Sequence, residues 1–110
     1  MGAVAMNERL ADLLEAIGLE EHFDQKKYNE FQAAVDKGPR NPVIVEAANT
    51  LIEYCNCMTS RSLISRRPLR PDPSQERKLR EDLLVFSRAI RAGITEYGSL
   101  RRLRSRLASG

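Results

Sequence analysis

The sequence predicts an all-α protein, a compact bundle of four to five helices. Three observations carry this expectation. Apolar residues recur at spacings of three and four along most of the chain, which is the helical period. Glycine and proline punctuate these segments, and no strand-like alternation or internal repeat interrupts them. The apolar content is mainly Leu, Ile and Ala, with six aromatics (Phe23, Tyr28, Phe31, Tyr54, Phe86 and Tyr97), a composition that favours helix packing over sheets. At 110 residues, 42% hydrophobic and 30% charged, the chain suits one domain with a modest core.

The first helix is expected to follow Asn7 as its cap, with Leu10, Leu13, Leu14 and Ile17 on one face and Gly18 as its stop. A second is expected from about Leu19 to Lys37, on a looser stripe of Leu19, Phe23, Tyr28, Phe31, Ala34 and Val35, ended by Gly38-Pro39. Asn41 and Pro42 signal the start of a third, in which Ile44, Ala47, Ala48, Leu51, Ile52, Cys55 and Met58 repeat at three and four. Leu63 and Ile64 are placed to continue it. Three prolines between Pro68 and Pro73 force a loop over 66–73. Asp72-Pro73-Ser74-Gln75 reads as the start of a fourth helix, whose seam of Leu79, Leu83, Phe86 and Ile90 suits packing on the third. Gly93 and Gly98 bracket a short segment before a stretch with Leu100, Leu103 and Leu107 on one face; the two glycines either break the chain ahead of a last helix or only weaken one long helix.

Charge is divided unevenly along this single domain. Residues 1–57, the acidic half, carry five basic and ten acidic side chains; residues 58–110 carry thirteen basic and five acidic, so the overall +3 divides into −5 and +8. Twelve of those thirteen are Arg. They fall around the Pro/Arg loop 66–73 (Arg61, Arg66, Arg67, Arg70) and in the basic half 74–110 (Arg77, Lys78, Arg80, Arg88, Arg91, then Arg101, Arg102, Arg104, Arg106). Guanidinium groups are planar donors that match phosphates and carboxylates bidentately. The bland counterpart is that the acidic half neutralises the basic half within one molecule or between copies.

Little in the chain suggests catalysis, and no enzyme activity is expected. Glu20, Glu21, His22 and Asp24 cluster at the start of the second helix, but carboxylates at a helix start are expected from the dipole alone. No phosphate-binding glycine loop or nucleophile elbow is present, and the single His with Cys55 and Cys57 cannot furnish a zinc site, so neither metal nor cofactor is expected. The two thiols, two apart on a helix, point away from each other and read as reduced cysteines of an intracellular, cytoplasmic-type compartment. No apolar run is long enough to span a bilayer, and Met1–Met6 lacks the pattern of a secretory signal.

Ala89, Gly93, Ile94, Leu100 and Leu103 resemble a helix-turn-helix, in which a small residue permits close crossing, Gly the turn, and apolar residues anchor the second helix. The resemblance implies that Arg101, Arg102 and Arg106 lie on the groove-facing side of that helix, with Arg104 at its boundary. The turn is one residue longer than usual, and Arg88 stands where an apolar residue is expected. Gly93-Ile94-Thr95 with Gly98 and Leu103 also resembles the last helix of sterile alpha motif domains, and Leu13 to Glu20 is similar to their first. The segment between is far longer than in that family; the resemblance implies protein assembly or RNA binding. A stripe of Leu opposite Arg is also the pattern of a membrane-surface helix, but three leucines without Trp or Phe offer little area to insert.

The expectation is a non-enzymatic helical protein that binds nucleic acid through phosphates, using Arg66, Arg67, Arg70, Arg101, Arg102, Arg104 and Arg106. The alternative is a protein-interaction module, an adaptor, chaperone-like subunit or inhibitor, that self-associates or grips an acidic protein surface. A small phosphorylated ligand held between helices is a third class.

Overall fold

The computed structural model describes residues 3–38, 40–59 and 73–109. Among them are five α-helices: α1 (Ala3–Leu19), α2 (Gln25–Lys37), α3 (Pro42–Thr59), α4 (Pro73–Arg91) and α5 (Tyr97–Ser109). The expected all-α bundle is what the chain forms. The segment carrying Arg66, Arg67 and Arg70, the continuation through Leu63 and Ile64, and the cap Asp72 lie outside the described residues.

The first four helices form a closed ring, each packed on the next and α4 returning to α1, while α5 rests on α3 and α4. The core is filled by Leu10, Leu14 and Ile17 of α1, Phe31 of α2, Val43, Leu51 and Tyr54 of α3, and Leu83, Phe86 and Ile90 of α4, all essentially inaccessible to water. The α4 seam is therefore the one read from the sequence. It faces α1 even more than α3, the neighbour expected from sequence. Small residues explain that preference. Ala11 and Ser87 are both buried at this crossing, and the Ser87 hydroxyl donates to the Ala11 carbonyl at 2.7 Å. A Cβ at Gly18 would approach Leu84 to 3.2 Å. Gly18 thus serves close approach between α1 and α4 rather than stopping α1, which ends one residue later, at Leu19.

Two element boundaries differ from expectation. α1 begins at Ala3, so Asn7 lies inside it. α2 begins at Gln25, because Asp24 is its cap: one carboxylate oxygen accepts from the Lys26 and Lys27 amides at 3.0 and 3.1 Å. These bonds, that from Lys27 foremost, hold the Asp24 carboxyl below its ordinary value. Leu19, the last residue of α1, is 65% accessible, and the connector after it tucks Phe23 between Tyr28 and Tyr54, with ring centroids 5.8 Å apart in each pair. α3 starts as expected, with the Ile44 amide donating to Asn41 Oδ1 at 3.0 Å. Its buried face includes Val43, Tyr54 and Cys57, while Ile52 is turned to solvent.

α4 ends in a Schellman motif. Gly93 adopts φ +77°, its amide donates to the Ile90 carbonyl at 3.0 Å, and the Ile94 amide donates to Ala89 at 2.9 Å. The chain breaks at Gly93, whereas Gly98 lies within the first turn of α5.

Candidate nucleic-acid interface

The basic half contains two chemically different sets of arginines. The first set is structural. The Arg80 guanidinium reaches across to the end of α1, donating to the carbonyls of Glu20, Glu21 (2.7 Å) and, at 3.5 Å, Gly18. It also binds Glu76 Oε1 through Nε and Nη2 (3.2 and 2.9 Å) and lies 5.7 Å from the Tyr54 ring centroid. One side chain thus supplies donors to a last-turn carbonyl of α1 and to the two connector carbonyls just beyond it. Arg91 forks onto α1 as well, donating to Glu15 at 2.9 Å and Asp12 at 2.7 Å. Those two bonds, that to Glu15 foremost, raise its already high pKa, so it stays charged. For Arg91 the sequence reading in which the acidic half neutralises the basic half is the correct one, whereas Arg80 takes its carboxylate, Glu76, from the basic half itself.

The second set is on α5. Its sequence, YGSLRRLRSRLAS, holds no carboxylate. Leu100 is buried and Leu103 partly so, which orients the helix. With about 100° per residue, Arg101 and Arg102 then fall on the side opposite the leucines, and Arg106 lies at the flank, beside Leu103. All three are exposed. Arg101 and Arg106 have no ion-pair partner among the described residues, and Arg102 reaches only Gly98 O and Ser99 Oγ of its own helix, at 3.4 and 3.5 Å. Arg104, at the boundary as its position implies, is held: its guanidinium carbon is 5.2 Å from the Phe86 ring centroid and its Nη2 is 3.9 Å from Asp82.

Tyr97 fixes the start of α5 by donating to Glu46 Oε2 at 3.1 Å, a bond that raises the phenol's pKa. Tyr97, Glu46, Arg101 and Arg104 share a recess of about 170 Å3. A larger, open groove of about 700 Å3 runs between α4 and α5, with Leu84, Val85 and Leu107 as its apolar floor and Glu81, Arg88 and Arg106 on its rim.

Five residues separate α4 from α5, against the three or four of a helix-turn-helix, and contact between these helices is slight. The acidic cluster around His22 has structural uses: Glu20 and Asp24 pair with Lys27, Asp24 caps α2, and His22 is exposed. No group of three or more potential metal ligands is found among the described residues, and no helix there is long and apolar enough to cross a membrane. Comparison with protein-family models, curated proteins and solved structures finds no match to this chain.

Proposed function

We propose that this chain acts by binding rather than catalysis, gripping nucleic-acid phosphates with Arg101, Arg102 and Arg106 of α5. The observation that carries this reading is the contrast between the two arginine sets. Arg80 and Arg91 are committed to α1, while the three on α5 project from a helix without carboxylates. Tyr97 and Arg104 brace that helix against α3 and α4 from its other side. Planar donors held on a braced helix that carries no carboxylate of its own suit a polyanion.

The test is fluorescence anisotropy with labelled single- and double-stranded DNA and RNA across a salt series, with an R101A/R102A/R106A variant alongside. Each phosphate neutralised on duplex DNA contributes about 0.9 to the slope of log affinity against log salt, so the variant loses about 2.7 from that slope. The three arginines alone then account for about a 40-fold fall in affinity between 50 and 200 mM salt. Absence of binding at low salt, or a slope unchanged in the variant, overturns the reading.

A protein-interaction role is the second reading, favoured by the groove between α4 and α5, whose apolar floor and mixed-charge rim are unlike a phosphate site. It separates from the first because changing the α5 arginines would then alter partner capture or oligomeric mass and leave nucleic acid unbound.

A further inference from the structure

We infer that the outer face of α4 is a two-fold dimer interface, and that its occupant is a second copy of this chain. The core seam of α4 is Leu79, Leu83, Phe86 and Ile90. About 180° around the helix from that seam runs a second line: Arg77, Glu81, the pair Leu84 and Val85, Arg88, then Ala92. Glu81 and Arg88 are exposed, and neither has an ion-pair partner among the described residues. Leu84 is only half-buried, and it lines three separate recesses: towards Pro73 and Arg77, towards Leu19 and Glu15, and towards Leu107. It is the apolar centre of a surface that Leu19 and Leu107, 65% and 37% accessible, extend on either side.

The order acid, apolar, apolar, base is its own complement when read backwards. A two-fold axis between Leu84 and Val85, perpendicular to the helix, sets Leu84 against the partner's Val85 and Glu81 against the partner's Arg88. The same operation repeats both contacts, as an isologous interface requires. It also brings Arg77 opposite Ala92, so no like charges meet along this line. Acids and bases are mixed along the face: Glu81, Asp82 and Glu15 line its recesses beside Arg88, Arg91, Arg104 and Arg106. A second copy answers the acids and bases together.

Sedimentation velocity over a concentration series tests this with charge reversal. Wild-type chain should approach twice its 12.5 kDa mass as concentration rises. E81R and R88E, each alone, place two like-charge pairs in the interface and should weaken dimerisation about tenfold or more. An equimolar mixture of the two should form a heterodimer, since each acid then meets a base, and the double variant E81R/R88E should self-associate like the wild type. Circular dichroism checks that each exposed substitution leaves the helices intact. A wild-type mass of one chain at every concentration, single reversals that leave the mass unchanged, or a mixture that fails to associate overturns the inference. Nucleic-acid binding by the α5 arginines is read independently, so either result can fail alone.

Discussion

Replacing Arg80 by Ala should cost the fold about 3 kcal/mol. The figure comes from its contacts. The bonds to the Glu20 and Glu21 carbonyls are charge-assisted, but their acceptors lie at a partly wet helix end, so about 1 kcal/mol each is appropriate. The pairing with Glu76 four residues earlier contributes about 0.5 kcal/mol. The guanidinium over Tyr54 contributes about as much again. With a urea m-value of about 1.5 kcal/mol/M, the unfolding midpoint of R80A falls by about 2 M. R80M, which keeps the aliphatic stem, should recover only a fraction of this. The contrast is R101A/R102A/R106A, which should move the midpoint little, since among the described residues those side chains make no hydrogen bond or ion pair beyond α5. The assay is urea unfolding followed by circular dichroism. An R80A midpoint within about 0.3 M of wild type would show that water serves these carbonyls equally well, and the division of the arginines into two sets would collapse.

Two glycines with equally open surroundings should respond to alanine in opposite directions, because a Cβ meets nothing within 4 Å at either Gly93 or Gly98. G93A forces φ +77° on an L-residue and should lower stability by about 1 kcal/mol, whereas G98A, inside α5, should raise it by about 0.5 kcal/mol; thermal unfolding measures both. S87A removes a buried hydroxyl's bond to Ala11 and should cost about 1 kcal/mol by the same assay, without shifting the oligomeric mass. Acid sensitivity should report on Asp24. Its carboxyl is depressed below the ordinary 3.8, so its contribution is complete above that value and is lost as pH falls through the folded-state pKa. D24N keeps a cap that cannot titrate and should flatten the stability profile below pH 3.8, read by urea unfolding across pH.

Isolated local signals in this chain were legible; crowded local signals and distant partners were not. Asn41-Pro42 and the Leu79–Ile90 seam combine capping chemistry with a strict helical period, and both appear where the sequence places them. Asp24 carried an equally good capping signal, but it was hidden among Glu20, Glu21 and His22, and Leu19 was apolar enough to draw the second helix forward. Tyr54 gave no sign of being fully buried, because its phenol makes it ambiguous between edge and core. Arg80 is the instructive case at the candidate site. Its partners Glu20 and Glu21 are 60 and 59 residues away, and nothing in an Arg-rich stretch distinguishes an arginine that closes a distant helix from one that projects into solvent. Arg101, Arg102 and Arg106 were separable from Arg104 because the leucine stripe sets the angle of each around α5.

The slender attachment of α5 has a consequence for how ligands would register. Leu100 is its one buried side chain among the described residues, so α5 can open as its own cooperative unit at a fraction of the free energy that unfolds the four-helix ring. Its amides would then exchange with solvent long before those of α4. A ligand bound only to closed α5 opposes that opening by about 2.7 kcal/mol at a hundred times its dissociation constant, which slows exchange about a hundredfold. Deuterium uptake along this one helix is therefore an occupancy gauge, with the four-helix ring as its internal standard.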